Sequence, residues 1–248
     1  MSPATKKILL TGGTGRLGRE LQTILPGIQC PPRNQLDIQS PDSVKKALDL
    51  HQPEIFFHGA AYTDVAGAEQ DRAACWKANV EGTRNVVRAL QGTPVRLVHI
   101  STDYVFYGDR GDYREDDPVG PVRNHYALSK LAGEEVARVH SPHLVIRTSF
   151  RPREWPYPMA FTDVFTSQDY VDVIAPQIAL AITHAKEIPF DTLHIATERK
   201  SIFELARRRK PHVKPGSRKD VSVDLPEDIS LNIERWKAVR KAFGPGAL

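Results

Sequence analysis

The chain has 248 residues, 40% of them hydrophobic and 26% charged, with a net charge of +4 at pH 7. That is enough to bury the core of one α/β domain, or of one domain with a small annex, and no apolar run is long enough for a membrane helix. The small positive charge does not argue for nucleic acid and suits anionic small molecules equally well.

Cys30 and Cys75 give neither a disulfide framework nor a metal spacing and read as buried small side chains. The segment Met1–Lys7 leads into only three apolar residues, Ile8 to Leu10, too few for a signal peptide. A cytoplasmic protein with neither a nucleic-acid nor a membrane partner is expected, and a homodimer is the default assembly.

In chain order, 7–11 reads as a buried strand ending at glycines, and 16–25 as a helix with Leu17, Leu21, Ile24 and Leu25 on one face. A short second strand at 28–30 is broken by Pro31-Pro32. Ser40 followed by Pro41 starts a helix that runs to about Leu50. A third strand at 54–58, a long helix at 71–91 and a fourth strand at 95–101 follow. Next come a helix at 124–140 and a fifth strand at 143–147. Strands alternating with helices predict a doubly wound, Rossmann-like parallel sheet.

Beyond residue 148 the regularity weakens. Residues 149–168 read as loop, 171–184 as helix and 193–197 as strand. Ser201 with Glu204 is a capping box opening another helix. That helix ends in the basic run Arg207–Lys210, read as its solvated end, and 233–243 is an amphipathic helix. The expected division is a dinucleotide-binding part over 1–148 and a shortened substrate-binding region over 149–248, partly interleaved with the first.

Gly12, Gly15 and Gly18 stand between a predicted strand and helix, where glycines let a backbone approach a pyrophosphate at a helix N-terminus. The second strand ends in Cys30-Pro-Pro-Arg33-Asn34, without the carboxylate that would bind a ribose 2′-hydroxyl. Arg33 is placed to pair with a 2′-phosphate instead, so NADPH is expected over NADH. Asp37 can meet the adenine amino group, and the small residues of Gly59-Ala60-Ala61-Tyr62 suit a flat ring beside them.

At the end of the fourth strand lies Ser101-Thr102-Asp103, whose hydroxyl can bond a substrate carbonyl. Tyr126 is a general acid for the developing alkoxide, and Lys130, one helical turn on, is expected to lower the tyrosine pKa. The nine histidines show no ligand pattern and read as structural or surface residues.

Several segments, in order, resemble the extended short-chain dehydrogenase/reductase superfamily, and within it the dTDP-4-dehydrorhamnose reductases. They are Thr11-Gly-Gly-Thr-Gly-Arg-Leu-Gly18, Gln35-Leu-Asp-Ile38, Ala60-Ala-Tyr-Thr-Asp-Val65, Ser101-Thr-Asp-Tyr-Val-Phe106, Tyr126-Ala-Leu-Ser-Lys130 and Ile146-Arg-Thr148. The resemblance implies that Gly15, Arg16 and Leu17 touch a cofactor diphosphate, and Asp37 and Ile38 the adenine. It further implies that Ala60, Ala61 and Tyr62 line the nicotinamide, that Thr102, Tyr126 and Lys130 are catalytic, and that Asp103 lies near the substrate. The implied reaction is NAD(P)H-dependent reduction of the 4-keto group of a nucleotide-linked 6-deoxyhexose.

Two departures fall in the C-terminal third. Only the short stretch 149–169 separates Thr148 from Tyr170-Val-Asp-Val173, and Leu225 precedes Pro226 where the family has arginine. Alternatives are another nucleotide-sugar epimerase or dehydratase of the superfamily, or a non-catalytic NADP-binding regulatory subunit.

Overall fold

The computed structural model describes residues 6–221 and 225–243. The reading of the leading segment falls mostly on residues 1–5, outside the described ones. In order, the first half contains β1 (Ile8–Thr11), α1 (Arg16–Ile24), α2 (Pro41–His51), β2 (Ile55–His58), α3 (Gly67–Gln70), α4 (Arg72–Trp76), α5 (Gly82–Leu90), β3 (Arg96–Thr102), α6 (His125–Ala137) and β4 (His143–Thr148). The second half adds β5 (Phe150–Arg151), β6 (Met159–Phe161), β7 (Phe165–Thr166), β8 (Asp169–Tyr170), α7 (Val171–Thr183), β9 (Thr192–His194), β10 (Lys200–Ser201), α8 (Ile202–Arg207), β11 (Lys214–Gly216) and α9 (Glu234–Phe243).

The main sheet is parallel, in the order β1-β2-β3-β4-β9. Alternate residues of its strands feed two cores, as a sheet covered on both faces requires. Ile8, Leu10, Ile55, Phe57 and Val98 pack with α1, α7 and Trp236 of α9. Leu9, Phe56 and Leu97 pack with Val44, Val86 and Leu90 from α2 and α5. The chain therefore returns to the sheet from beyond residue 148, through α7, β9 and α9.

The expected second strand at 28–30 shrinks to one bridge between Leu9 and Gln29. Two backbone bonds hold it, Leu10 N to Gln29 O at 2.8 Å and Gln29 N to Ile8 O at 2.8 Å. Prolines 31 and 32 cannot donate to a ladder, so this edge ends there. Because Gln29 lies on one side of β1 and β2 on the other, the order reverses between β1 and β2. Ligands of open α/β sheets bind outside the strand ends at such a point.

Both capping signals form. Ser40 accepts from Ser43 N with Pro41 at the first helical position, and Ser201 and Glu204 close their box. The helix expected over 71–91 is helical over 72–90, but residues Lys77–Glu81 widen into a π-turn. Residues 149–168, expected as loop, instead supply three short strands. β5 pairs with β8, β6 with β11 and β7 with β10, over a small core of Trp155, Val164, Ile202 and Val213.

The basic run after α8 is a solvated end laced with ion pairs, Arg208 to Asp169 at 2.9 Å and Arg209 to Asp172 at 2.8 Å. Cys75 is buried as expected, whereas Cys30 is only half-buried, beside Gly13. Among the described residues no helix is long and apolar enough to cross a membrane, and no cluster of His, Cys, Asp and Glu could hold a metal ion.

Candidate active site

The turn after β1 is shaped by close backbone approach. Gly12 has φ +85°, and a Cβ there would meet the Gly59 carbonyl carbon at 2.7 Å. A Cβ on Gly18 would lie 2.3 Å from the Gly12 oxygen, so α1 starts as near the sheet as a backbone can. Gly15 is the N-cap of α1 and brings no side-chain cap, which leaves first-turn N–H groups for an anion. Arg16 is exposed at that end, while the Leu17 side chain belongs to the core. Close-packed glycines and an uncapped helix N-terminus at the switch point fit a dinucleotide diphosphate.

Buried polar groups tie the two strand ends together. Thr11 Oγ1 accepts from Ala60 N at 3.2 Å and lies 3.0 Å from His58 Nδ1, and His58 Nε2 lies 3.0 Å from Thr83 Oγ1. Thr83 gives its own proton to Asn79 O at 2.7 Å, so His58 must carry hydrogen on Nε2 and accept from Thr11 on Nδ1. Burial, aided by the charge of Lys130, pushes the His58 pKa down to about 3 and keeps the ring neutral. Asn79, in the π-turn, accepts from Tyr62 N at 2.7 Å and donates to Ser129 Oγ at 2.9 Å. It fixes the Ala60–Tyr62 segment against α6.

Thr102 ends β3, and Tyr126 and Lys130 sit one turn apart on α6, which Asn124 caps through Ala127 N. All three are buried. Thr102 Oγ1 donates to Asp103 Oδ1 at 3.0 Å and accepts from Tyr104 N at 3.2 Å. Lys130 Nζ donates to Ile100 O at 2.6 Å, which pins the ammonium under the strand end. Ser101 faces away and donates to Glu134 at 2.7 Å. The register that sets Thr102 beside Thr148 brings β4, and Ser149 after it, to the same edge.

The electrostatics correct one expectation. The Tyr126 pKa is raised rather than lowered, by burial first and then by the Asp103 carboxylate and Tyr104, with the Thr102 hydroxyl opposing. Burial outweighs the charge of Lys130, whose ammonium is turned to Ile100 O. Burial brings Lys130 itself down to about 8 against the favourable charge of Glu134. Burial raises Asp103 to about 6, with Thr102, Ser149 and Arg151 opposing.

The other expected residues are not gathered around this cluster. Arg33 is exposed and reaches Asp37 at 3.6 Å. The Asp37 carboxylate also accepts from Gln39 N at 3.0 Å, so it is a turn residue as well as a candidate for adenine. Ile38 is a core residue whose carbonyl accepts from Asn85 at 2.9 Å. Ala60, Ala61 and Tyr62 border the crevice half-exposed.

Beyond Asp103 opens a cavity of about 380 Å³. Asp103, Tyr104, Ser149 and Arg151 form its near side, and Trp155, Phe161, Ile202 and Ile229 are among its apolar walls. Sequence reasoning assigned no role to Arg151, Trp155 or Tyr157, because the segment that carries them read as loop. Its one signal was its richness in proline and aromatic residues.

The family described as RmlD substrate binding domain matches residues 6–208. A dTDP-4-dehydrorhamnose reductase of Streptomyces griseus is 37% identical over 158 residues, 60% of this chain and 52% of that protein. One from Mycobacterium tuberculosis is 33% identical over 196 residues, 75% of this chain and 59% of that protein. The chain thus spans about half the length of the curated relatives it matches. Among solved structures, dTDP-4-dehydrorhamnose reductase from Bacillus anthracis in complex with NADP superposes with a TM-score of 0.83 at 28% identity, covering 95% of this chain and 93% of that one. A hypothetical dTDP-4-dehydrorhamnose reductase from Sulfolobus tokodaii gives 0.81 at 29% identity, covering 94% of each chain.

Proposed function

Because the chain belongs to the RmlD substrate binding domain family, we propose that it is an NAD(P)H-dependent reductase of the 4-keto group of a nucleotide-linked 6-deoxyhexose. The observation that carries this reading is the meeting of Thr102, Tyr126 and Lys130 at the end of β3, with a cavity that opens beyond Asp103. Residues 1–148 hold the dinucleotide and 149–248 the substrate, the second part interleaved with the first through α7, β9 and α9. Gly12, Gly15, Arg16, Leu17 and Gly18 seat the diphosphate, Asp37 and Ile38 the adenine, and Ala60, Ala61 and Tyr62 the nicotinamide side.

When bound, the reduced cofactor supplies a hydride to the carbonyl carbon. Thr102 turns its hydroxyl from Asp103 to donate to the carbonyl oxygen, Tyr126 gives that oxygen its proton, and Lys130 holds the nicotinamide ribose and carries positive charge beside the phenol. The raised pKa of Tyr126 keeps its proton in place until the oxygen becomes basic.

Turnover is tested by loss of NADPH absorbance with freshly generated dTDP-4-keto-6-deoxyhexose, with NADH in parallel. Oxidation that depends on the ketosugar supports the reductase. Tight NADPH binding without turnover on any nucleotide ketosugar selects the regulatory reading instead.

Arg33 is the group we assign to a 2′-phosphate. Its exposed pair with Asp37 is weak and exchanges readily. Arg33→Ser is expected to weaken NADPH binding about tenfold, within the range of one charged hydrogen bond, and to leave NADH unchanged. Equal loss for the two cofactors in a fluorescence titration rejects a phosphate role.

Lys130 sets the alkaline limit. Burial brings its ammonium down to about 8, far below the raised Tyr126, so the alkaline limb of kcat/KM for reduction is expected near that pH, where the lysine loses its charge. A limb at the same pH in Lys130→Arg separates it from Lys130.

Cys30 and Cys75 are both unpaired, which supports a cytoplasmic, reducing setting. The assembly is taken to be a homodimer, with no nucleic-acid or membrane partner, and sedimentation checks it.

A further inference from the structure

We infer that Arg151 anchors a phosphoryl group of the substrate, and so selects nucleotide-linked sugars over free ones; this rests on the reductase reading above. Arg151 lies on β5, two residues beyond the Ser149 that closes the catalytic edge. Among the described residues it is the one basic side chain lining the cavity.

Its surroundings leave one of its donors unsatisfied. The Arg151 Nε is buried without a hydrogen-bond partner. Other cations of this region are engaged. Lys200 donates to Gln168 O at 3.0 Å and Thr197 at 2.7 Å, Arg199 pairs with Asp228 at 2.6 Å, and Arg218 with Glu227 at 2.7 Å. A buried guanidinium donor with no acceptor costs stability, and at the wall of a cavity an oxygen of a bound ligand can satisfy it.

The side chain is also held in position. Its guanidinium stands 5.5 Å from the Trp155 ring and 5.9 Å from the Tyr157 ring, within reach of cation–π attraction. Its charge acts on Asp103 and Tyr104, so it stands within electrostatic reach of the catalytic edge while lining the cavity beyond it.

The chemistry selects an oxyanion. A guanidinium fork matches two oxygens of a phosphate, and the apolar walls around it strengthen the pairing. In a nucleotide-linked hexose the phosphoryl group is on C1, across the ring from C4. A C4 carbonyl placed at Thr102 and Tyr126 therefore directs the phosphoryl group away from those residues, into the cavity that Arg151 lines.

The test compares wild type with Arg151→Met, which keeps the stem length, and Arg151→Lys, which keeps the charge without the fork. In the reductase assay, Arg151→Met is expected to raise the KM for dTDP-4-keto-6-deoxyhexose on the order of 10- to 100-fold, the loss of one or two charged bonds, with a smaller change in kcat. Arg151→Lys falls between the two. NADPH affinity stays at the wild-type value, and the free, unphosphorylated ketosugar is used equally poorly by all three proteins. Equal penalties on the free and nucleotide-linked sugars overturn the assignment.

Calorimetric binding of dTDP to the NADPH-loaded protein separates this idea from the reductase reading. Binding to wild type that Arg151→Met loses supports the anchor even if no ketosugar is turned over. Equal dTDP binding by the two proteins, or none by wild type, overturns it even where turnover is found.

Discussion

Replacing Tyr126 with phenylalanine is expected to cut ketosugar reduction by a factor on the order of 10² to 10⁴ while NADPH binds nearly as in wild type. The substitution removes one oxygen from a side chain that is already buried against Ala68, Cys75 and Tyr104, so the ring keeps its packing. What is lost is the proton for the developing alkoxide. No histidine replaces it: His58 is locked between two hydroxyls, and His99 is fully buried with both ring nitrogens unpartnered. Asp103 is close, but it is already bonded to Thr102 and largely ionised at neutral pH. Single-turnover absorbance with saturating NADPH, next to a cofactor titration, measures both quantities. Wild-type-like turnover in this variant would remove the proton-donor role of Tyr126 and leave the reductase reading without its acid.

Replacing Glu134 with alanine is expected to cost several kcal/mol of stability. Glu134 is fully buried and accepts from Arg147 at 2.6 Å, Arg138 at 2.7 Å and Ser101 at 2.7 Å. These bonds join α6 to β3 and β4. Arg147 is as deeply buried as its partner, and removing the carboxylate strands its charge between the sheet and the helix. Breaking one side of such a pair costs about 3–5 kcal/mol, which lowers Tm by roughly 6–20 °C for a chain of this size. A methionine at 147 paired with Glu134→Ala should recover much of the loss, since both charges are then absent.

The pH dependence has a definite direction. Burial alone would raise the Glu134 pKa, but Arg147, Ser101 and Arg138 outweigh it and hold it below the ordinary 4.5. The stabilisation it contributes is complete above that ordinary value and is lost as pH falls through the depressed one. Thermal melts of wild type should therefore fall steeply on acidification below about pH 4.5, the ordinary glutamate range, and Glu134→Ala should flatten that slope. Parallel slopes would mean that other carboxylates dominate acid unfolding.

Glu134 also bears on the site. It stands one turn after Lys130, and its charge is the first influence opposing the burial that depresses the lysine. The two expected results thus meet on one helix: the face of α6 that carries Tyr126 and Lys130 is secured by the ion cluster below it.

Much of this was legible in the chain because it depends on neighbours in sequence. The βα alternation, the glycine turn with its helix, the caps at Ser40 and Ser201, and the turn-spaced Tyr126 and Lys130 all arise from local geometry. Hydrophobic period and cap chemistry are properties of short windows, so reading them needs no knowledge of the fold.

Only the tertiary structure decided the rest, because it depends on which distant residues meet. Two-residue strands such as β5 and β10 have no period to read, and their pairing with β8 and β7 exists only once the chain returns upon itself. The strand at 28–30 read as a peer of the others, yet an edge position followed by two prolines left it a single bridge. The sign of the Tyr126 shift was likewise beyond sequence. Helical spacing placed a lysine near the phenol, but the ammonium turned to Ile100 O, and burial beside Asp103 prevailed. Charge, burial and partner act through space, and there the local pattern is silent. The same holds for Arg151, which only the assembled cavity leaves without an acceptor.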